Sequence, residues 1–489
     1  MRTYITKPKS IKKSLILDKG FSLSGKDYRF LKNNSKAKYI SEYIEKDFSG
    51  KEIGSEAYMQ KSRFRFLKTV NLGNNFTLET TKFEYCKPIN KVYPKKGDIL
   101  IAKDGGGNGL GEIALYNLDN ENKLDSISAG ILGVRLNEEI KYYILGLLKT
   151  RHFKEFVDLN TPQGSTIRHS KKVALDYKIP FPTTKNHEEP QKVQDLVSIL
   201  VQNIIDKEEQ IKAKNQKIDD LIEKELMENQ NSKSFHYKLP RISEIKKEGR
   251  LDTGLYEKKI KEVEGLILNY LDGYFKISEL SYKFVSGSTP ESYIYTNKDN
   301  ALWWIAVADI NYGLTYSKQV KIQVPSIINN ILINGDILIT RKGATLGKMN
   351  LYFATNILAF VNEDIKVLRL KTKLYQKIFV GLFLNSKYGQ TKLISSGSKG
   401  TKQGLTNENI LSTLIPSFPE LKQQEIAREY YNQIEKNSNL KLENYVELEK
   451  IRNSQLGIFQ LNMEIFELRE KLEELVDKIV NEEVIEIVF

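Results

Sequence analysis

Hydrophobic positions follow two different rules along the 489-residue chain. Through most of it, short runs of β-branched and aromatic residues stop at Gly, Pro or Asn, the pattern of short strands in a mixed α/β globule. Two stretches obey another rule. From Gln191 to about Met227 there is neither Gly nor Pro, Ile204, Ile211 and Ile218 stand seven apart, and Leu200 and Leu221 fill the alternate position. Near the C-terminus Leu461, Ile465, Leu468, Leu472, Leu475 and Ile479 follow 4-3-4-3-4 spacing. Both predict long amphipathic helices with the narrow seam of a coiled coil. At 1.5 Å per residue the first would span roughly 55 Å, too long for one domain to cover, so the two stripes are expected to pair with each other. Each long helix is expected directly after a proline cluster, IPFP at 179–182 and IPSFP at 415–419, because Pro ends a strand and lets a helix start afresh. Shorter helical patterns occupy 141–157 and 374–389.

The strand-rich parts repeat. Ile40-Ser41-Glu42 returns as Ile277-Ser278-Glu279, and Gly97-Asp98-Ile99-Leu100-Ile101 as Gly335-Asp336-Ile337-Leu338-Ile339. Val70-Asn71-Leu72 lies opposite Ala308-Asp309-Ile310. After a glycine turn the offset falls by two residues, and Leu110-Gly111, Leu115-Tyr116, Gly164 and Ile179-Pro180 match Leu346-Gly347, Leu351-Tyr352, Gly400 and Ile415-Pro416. A single two-residue gap is expected to account for the register. The glycines at 105, 106, 107, 109 and 111 fit neither G-x-G-x-x-G nor G-x-x-x-x-G-K-[ST], and the EIALYNL that follows reads as a strand, so a turn between strands is expected in place of a phosphate loop. The repeat divides the chain into 1–190, a helix at 191–230, 231–420, and a helical segment at 421–489.

Charge follows the same division. The net charge of +13 is distributed as +12 over 1–190, −3 over 191–230, +10 over 231–420 and −6 over 421–489. Two basic globular units alternating with acidic helices suggest two surfaces facing a polyanion such as nucleic acid. The single cysteine, Cys86, excludes an internal disulfide and a cysteine zinc site, and the cytoplasm is the expected home. No apolar run reaches the roughly 18 residues of a membrane helix. The four histidines, His152, His169, His187 and His236, show no H-x-x-x-H spacing, and no G-x-S-x-G, N-P-P-[YF] or P-D with downstream E-x-K is present, so no catalytic residue, metal or cofactor is expected. Asp98 and Asp336 each follow a glycine before a strand, where an Asx turn is the ordinary role. Trp303 and Trp304, in an apolar strand, are expected in the core.

The ordered set of motifs, present twice, resembles the specificity subunit of type I restriction-modification systems. It comprises G-D-I-L-I, the glycine turn, G-[ST]-x(13)-I-P and a Gln-containing helix start (QKV at 191–193, QEI at 424–426), with GSTIRH at 164–169, GTKQGL at 400–405 and SGSTP at 286–290. The first unit departs in carrying GSEAYMQ where the second has SGSTP, in its longer glycine turn, and in starting its helix near Pro190 with EEPQKV. The resemblance implies an α/β (mixed α+β) protein with two similar target-recognition domains, at 1–190 and 231–420, separated by two long helices in an antiparallel coiled coil. It implies a non-catalytic subunit that reads a bipartite double-stranded DNA target and directs methyltransferase subunits, two of them, and restriction/translocase subunits. Phosphates supply affinity and base edges supply specificity, so the candidate DNA contacts are basic and polar residues of the loops after the repeated strands. They are Lys103, Ser165, Thr166 and Arg168 in the first unit, and Arg341, Lys342, Lys348, Thr401, Lys402 and Gln403 in the second. Each could instead be a solvated surface side chain. Two other readings stay open: a coiled-coil scaffold that reads no DNA, and a nucleotide-binding enzyme using the 103–111 glycine loop.

Overall fold

The computed structural model describes residues 3–488 apart from 19–27, 81–82, 89–92, 107–108, 119–123, 163–165, 232–236, 249–252, 297–299, 312, 325–327, 329 and 398–403. The chain divides into two compact α+β units. Unit 1 takes residues 1–209, 436–453 and 467–489, and unit 2 takes 210–435 and 454–466.

In unit 1 the first sheet contains β1 (Ile44–Ser49), β5 (Ile99–Ala102), β6 (Ile113–Leu115) and β8 (Ile131–Leu136), in the order β6-β5-β8-β1 and wholly antiparallel. The second contains β2 (Tyr58–Met59), β3 (Phe64–Leu67), β4 (Glu84–Cys86) and β7 (Leu124–Ile127), in the order β7-β3-β4-β2 with β7 parallel to β3. Helices α1 (Lys141–Leu148) and α2 (Arg151–Asn160) follow. The 141–157 pattern breaks because the Thr150 hydroxyl donates to the Leu147 carbonyl at 2.7 Å while the Thr150 backbone turns extended. The core holds Leu67, Leu78, Leu100, Ala102, Ala114, Tyr116, Ile127 and Ile131.

Unit 2 repeats this plan strand for strand. Its strands are β9 (Ser281–Ser286), β10 (Ile294–Tyr295), β11 (Leu302–Ile305), β12 (Lys321–Gln323), β13 (Asp336–Thr340), β14 (Met349–Tyr352), β15 (Ala359–Val361) and β16 (Ile365–Leu370). The sheet orders are β14-β13-β16-β9 and β15-β11-β12-β10, again with one parallel pair, β15 with β11. The helical stretch after β16 also breaks, into α4 (Leu374–Asn385) and α5 (Lys387–Ser396), where the Ser386 hydroxyl donates to the Phe383 carbonyl. The duplication inferred from the sequence is therefore a duplication of topology.

Strand pairing corrects the register in two places. Thr340 pairs with Ile365 as Ala102 does with Ile131, so the offset drops to 234 across β8 and β16. It returns to 236 at Ile179 and Ile415, which pair with Lys38 and Phe275. One gap is not enough. The counterpart of Ser286-Gly287 is Ser49-Gly50, since Ser49 pairs with Leu132 as Ser286 pairs with Lys366. A Cβ on Gly50 would lie 1.9 Å from the Ile127 carbonyl oxygen, and one on Gly287 2.1 Å from that of Asn362. Both positions need glycine because the chain crosses so close to the next strand. GSEAYMQ at 54–60 is thus not the counterpart of SGSTP.

The first long helix, α3 (Pro190–Glu228), matches its expected span. The second half of the chain differs. After IPSFP comes only an 11-residue helix, α6 (Glu420–Tyr430), then α7 (Tyr445–Gln455), and the leucine stripe sits on α8 (Ile458–Asn481). The chain leaves α6 at Tyr431 in extended backbone and returns so that the Gly457 amide donates to the Asn432 carbonyl at 2.9 Å.

Within unit 1 the first half of α3 accompanies the second half of α8, and within unit 2 the second half of α3 accompanies the first half of α8, which is antiparallel order. Leu200, Ile204, Ile211, Ile218, Leu461, Ile465, Leu472, Leu475 and Ile479 are buried, whereas Leu221 and Leu468 are half-buried. Ile222, Leu226, Val476 and Val480, outside the expected stripes, are buried too. The apolar face is wider than a two-stranded seam, because the helices also pack on their own units. In unit 1, a Cβ on Gly146 of α1 would meet Val197 and Val201 of α3 and Leu472 of α8. Glu208 of α3 accepts from the Phe76 amide at 3.0 Å, the Thr77 amide at 2.9 Å and the Arg469 guanidinium at 2.9 Å. In unit 2 the equivalent loop is held from α8, where Asn462 accepts from the Tyr316 amide at 2.8 Å.

The units fill one slot differently. In unit 1 Arg65 of β3 faces Asp125 of β7, buried, with Nη2 2.7 Å from Oδ2, and the Tyr116 hydroxyl donates to Oδ2 at 2.7 Å. In unit 2 the same two positions hold buried Trp303 and Ala359, with Tyr352 tilted against the indole. A buried ion pair broken on one side typically costs about 3–5 kcal/mol, and its apolar replacement is often neutral. Asp125→Ala should therefore destabilise unit 1 by about 3 kcal/mol or more in urea unfolding, and Arg65→Trp combined with Asp125→Ala should recover most of that loss. A second prediction concerns His152, fully buried, whose Nδ1 lies 2.6 Å from the Tyr177 hydroxyl and Nε2 2.8 Å from the Lys32 carbonyl oxygen. Burial pushes its pKa down to about 4 from 6.5, against the raising effect of the Lys32 carbonyl. The unfolded chain then protonates first, so the stability from neutral His152 is complete above about pH 6.5 and is lost as pH falls towards 4, by up to ~3 kcal/mol. His152→Gln should flatten that part of the stability curve.

Candidate nucleic-acid interface

In each unit the glycine turn projects from the end of one strand of the first sheet, and a second loop is tied beside it. β5 of unit 1 ends at Ala102, and Asp104-Gly105 then pairs antiparallel with Arg168-His169. The Ser170 amide donates to the Lys103 carbonyl at 2.7 Å. In unit 2 the Leu405 amide donates to the Arg341 carbonyl at 3.0 Å, and Lys342 bridges to Gly404. Gly111 and Gly347 leave their turns at φ +75° and +78°, a left-handed conformation that favours glycine. The turn is a strand connection: in unit 2 it holds one 3-10 turn, Gly343–Thr345, and among the described residues no α-helix intervenes before β6 or β14. The two loops chosen from the sequence do meet in each unit.

The individual side chains are less uniform. Lys103 is half-buried and Thr166 exposed beside the turn, its carbonyl oxygen 2.9 Å from where a Cβ on Gly106 would sit. Arg168 is engaged within its own unit. Its guanidinium is ion-paired to Asp158 at 2.5 Å, and it donates to the carbonyls of Pro162 at 3.1 Å, Thr161 at 3.0 Å and Asp158 at 3.0 Å. These bonds cover the C-terminal end of α2, whose last carbonyls have no intrahelical donors. Lys342 is exposed and ion-paired to Asp364 at 2.8 Å. Arg341 is half-buried, its Nε without a hydrogen-bond partner among the described residues. Lys348 is half-buried, and its backbone carbonyl accepts from the Thr340 amide. Ser165, Thr401, Lys402 and Gln403 lie outside the described residues.

Sequence reasoning passed over Lys366, a strand lysine only 8% exposed, whose ammonium donates to the Ser286 hydroxyl at 2.5 Å. Burial and the charge of Arg341 push its pKa down. The signal was present: two basic residues interrupt the apolar run I-K-V-L-R-L of β16. The other, Arg369, pairs with Asp336. Among the described residues no cluster of His, Cys, Asp and Glu could hold a metal, and no helix is long and apolar enough to cross a membrane.

Arg168 carries the prediction here. Arg168→Ala should destabilise unit 1 by about 1–3 kcal/mol, the usual worth of hydrogen bonds to a charged group. Any loss of DNA affinity should be uniform across sequences, measured by competition between unrelated duplexes.

No family model matches the chain, and no curated protein does. Among solved structures the chain is similar to the S subunit of a type I restriction-modification system from M. genitalium, at 14% identity over 91% of this chain and 96% of that one, with a TM-score of 0.40. It is also similar to the HsdS subunit from Thermoanaerobacter tengcongensis, at 14% identity over 91% and 96% of the two chains and a TM-score of 0.27. A more limited likeness, 11% identity over 48% of this chain and 35% of that one with a TM-score of 0.28, is to the type IIG restriction endonuclease BpuSI.

Proposed function

We propose that the chain is a non-catalytic, sequence-specific DNA-binding subunit of the type I restriction-modification kind, reading a bipartite duplex target with one half assigned to each unit. The observation that carries this reading is the repeat of one fold with one loop pair. In both units a left-handed glycine turn carrying Lys103 or Arg341 is bonded to a second polar loop. Two copies of one reading surface suit a target with two parts, and the basic excess of each repeated segment suits a phosphate backbone.

Direct base contacts then fall to polar side chains of the two loops. Thr166 beside the turn in unit 1 and residues 401–403 in unit 2 are the candidates, and Arg168 serves as the brace that holds its loop. Lys103 and Lys342 sit on the loops as phosphate contacts. The helices α3 and α8, each contributing to both units, provide the framework on which methyltransferase subunits assemble, and restriction subunits join that complex. Methyl transfer and cleavage belong to those partners.

A tagged chain recovered from its native host tests this. It should bring methyltransferase subunits with it, and the recovered complex should retain duplex DNA with an affinity that falls steeply with salt. The highly purified chain alone, supplied with S-adenosylmethionine, ATP and duplex DNA, should transfer no methyl group and hydrolyse neither ATP nor the DNA. Methylation by the chain alone would contradict the non-catalytic reading. Absence of duplex retention in both preparations would contradict DNA binding.

A further inference from the structure

In unit 2 the start of SGSTP at 286–290 lies against an uncompensated pair of positive charges. Lys366 sits on β16 beside Ser286 of β9, and Arg341 follows β13 on the other side of β16. Among the described residues the Lys366 ammonium touches the Ser286 hydroxyl and the face of Phe284, whose ring centre is 5.9 Å away. The nearby carboxylate, Asp364, is engaged by Lys342. Neither Lys366 nor the Arg341 guanidinium has a carboxylate partner among the described residues. A buried ammonium next to another cation is costly, and proteins normally pair such a charge. The Ser286 hydroxyl, having accepted from Lys366, keeps its own proton to donate, and Ser286 is exposed. The result is an ammonium, a hydroxyl and a guanidinium at the strand ends on one side of the sheet, with donors to spare.

Unit 1 shows that this is not required by the fold. At the Lys366 position it has Leu132, at Asp364 it has Gly130, and at Arg341 it has Lys103. Ser49-Gly50 is kept, but the residue after it is Lys51 where unit 2 has Ser288. The frame stands with leucine at the strand position, so the buried lysine of unit 2 needs a reason beyond packing.

We propose that Lys366, Arg341 and the Ser286 hydroxyl form a phosphate-binding notch in unit 2, occupied in the DNA-binding reading by one backbone phosphodiester of the duplex. This rests on that reading for the source of the phosphate. The anion supplies the partner that the protein withholds from Lys366, and an ammonium with two further donors suits the several acceptor oxygens of a phosphate. Because the ammonium is fixed from within the sheet, the notch positions the duplex and carries no base information.

The test uses the full-length chain and Lys366→Met, which keeps the stem and removes the charge. Sodium phosphate, compared with sodium chloride at equal ionic strength, should raise the thermal unfolding temperature of the native chain and leave K366M unmoved. With a duplex probe, K366M should bind more weakly on every sequence, and the slope of log affinity against log salt should fall by about 0.9, the share of one phosphate. Arg341→Gln, at a half-buried position, should reproduce both effects if K366M fails to fold. Equal phosphate stabilisation and equal salt slopes in native and variant chains would overturn the notch, and intact duplex binding would leave the DNA reading standing. If neither the native chain nor the complex recovered from its host bound duplex, while phosphate stabilised the native chain and not K366M, the DNA reading would fall and the notch would stand with free phosphate as its ligand.

Discussion

The architecture of both units depends on one buried carboxylate that ties a glycine turn to the strand beside it. Asp98 accepts from the Lys95 amide at 2.7 Å and from Arg135 Nε and Nη2 at 2.8 and 2.9 Å. Asp336 accepts from the Ile333 amide at 2.9 Å and from Arg369 Nε and Nη2 at 2.9 and 3.0 Å. The turn hydrogen bond fixes where β5 and β13 begin, and the two-pronged arginine contact fixes their register against β8 and β16. Once the register is set, the far ends of β5 and β13 are set too, and these ends carry the glycine turns. Arginine's rigid fork is what makes a side-chain pair able to set a register, since lysine would bring only one flexible point of charge. Burial raises the pKa of Asp336, against the lowering effect of Arg369, so the arginine only partly offsets the cost of keeping this carboxylate charged.

Around that shared frame the units diverge where packing has equivalent solutions. An ion pair at Arg65 and Asp125 and a Trp303–Ala359 pair occupy the same slot between β strands. Both fill the volume, and both leave a tyrosine, Tyr116 or Tyr352, beside it. By contrast, positions where one backbone crosses another allow no alternative, and Gly50 and Gly287 are retained with the same neighbours. The first kind of position can vary freely between copies, whereas the second marks the fold.

What could be read from the sequence follows this distinction. The repeat of G-D-I-L-I, the turn aspartates, the glycine turns as strand connections and the span of α3 were legible because each depends on local geometry. Of the two tryptophans expected in the core, Trp303 is buried and Trp304 is half-buried. The division of the segment after Pro419 into three helices was not legible, because the break at Tyr431 and the return at Gly457 are made by contacts between distant parts of the chain. The partners of Arg168 were hidden for a similar reason: Asp158 and three carbonyls engage its guanidinium, and only the folded loop brings them together. The four candidates at 165 and 401–403 lie outside the described residues. The heptad stripes were real but too narrow, because a seam pattern does not reveal how much of each helix also covers its own unit.

The central claim, that two copies of one fold each read one part of a DNA target, is tested most directly by selecting bound sequences from a random duplex pool with the complex recovered from the native host. The account predicts two separated blocks of enriched sequence with unconstrained base pairs between them. Exchanging residues 398–405 for an unrelated loop of equal length should change one block and leave the other as it was. A single continuous block, or a loop exchange that altered both blocks alike, would contradict it.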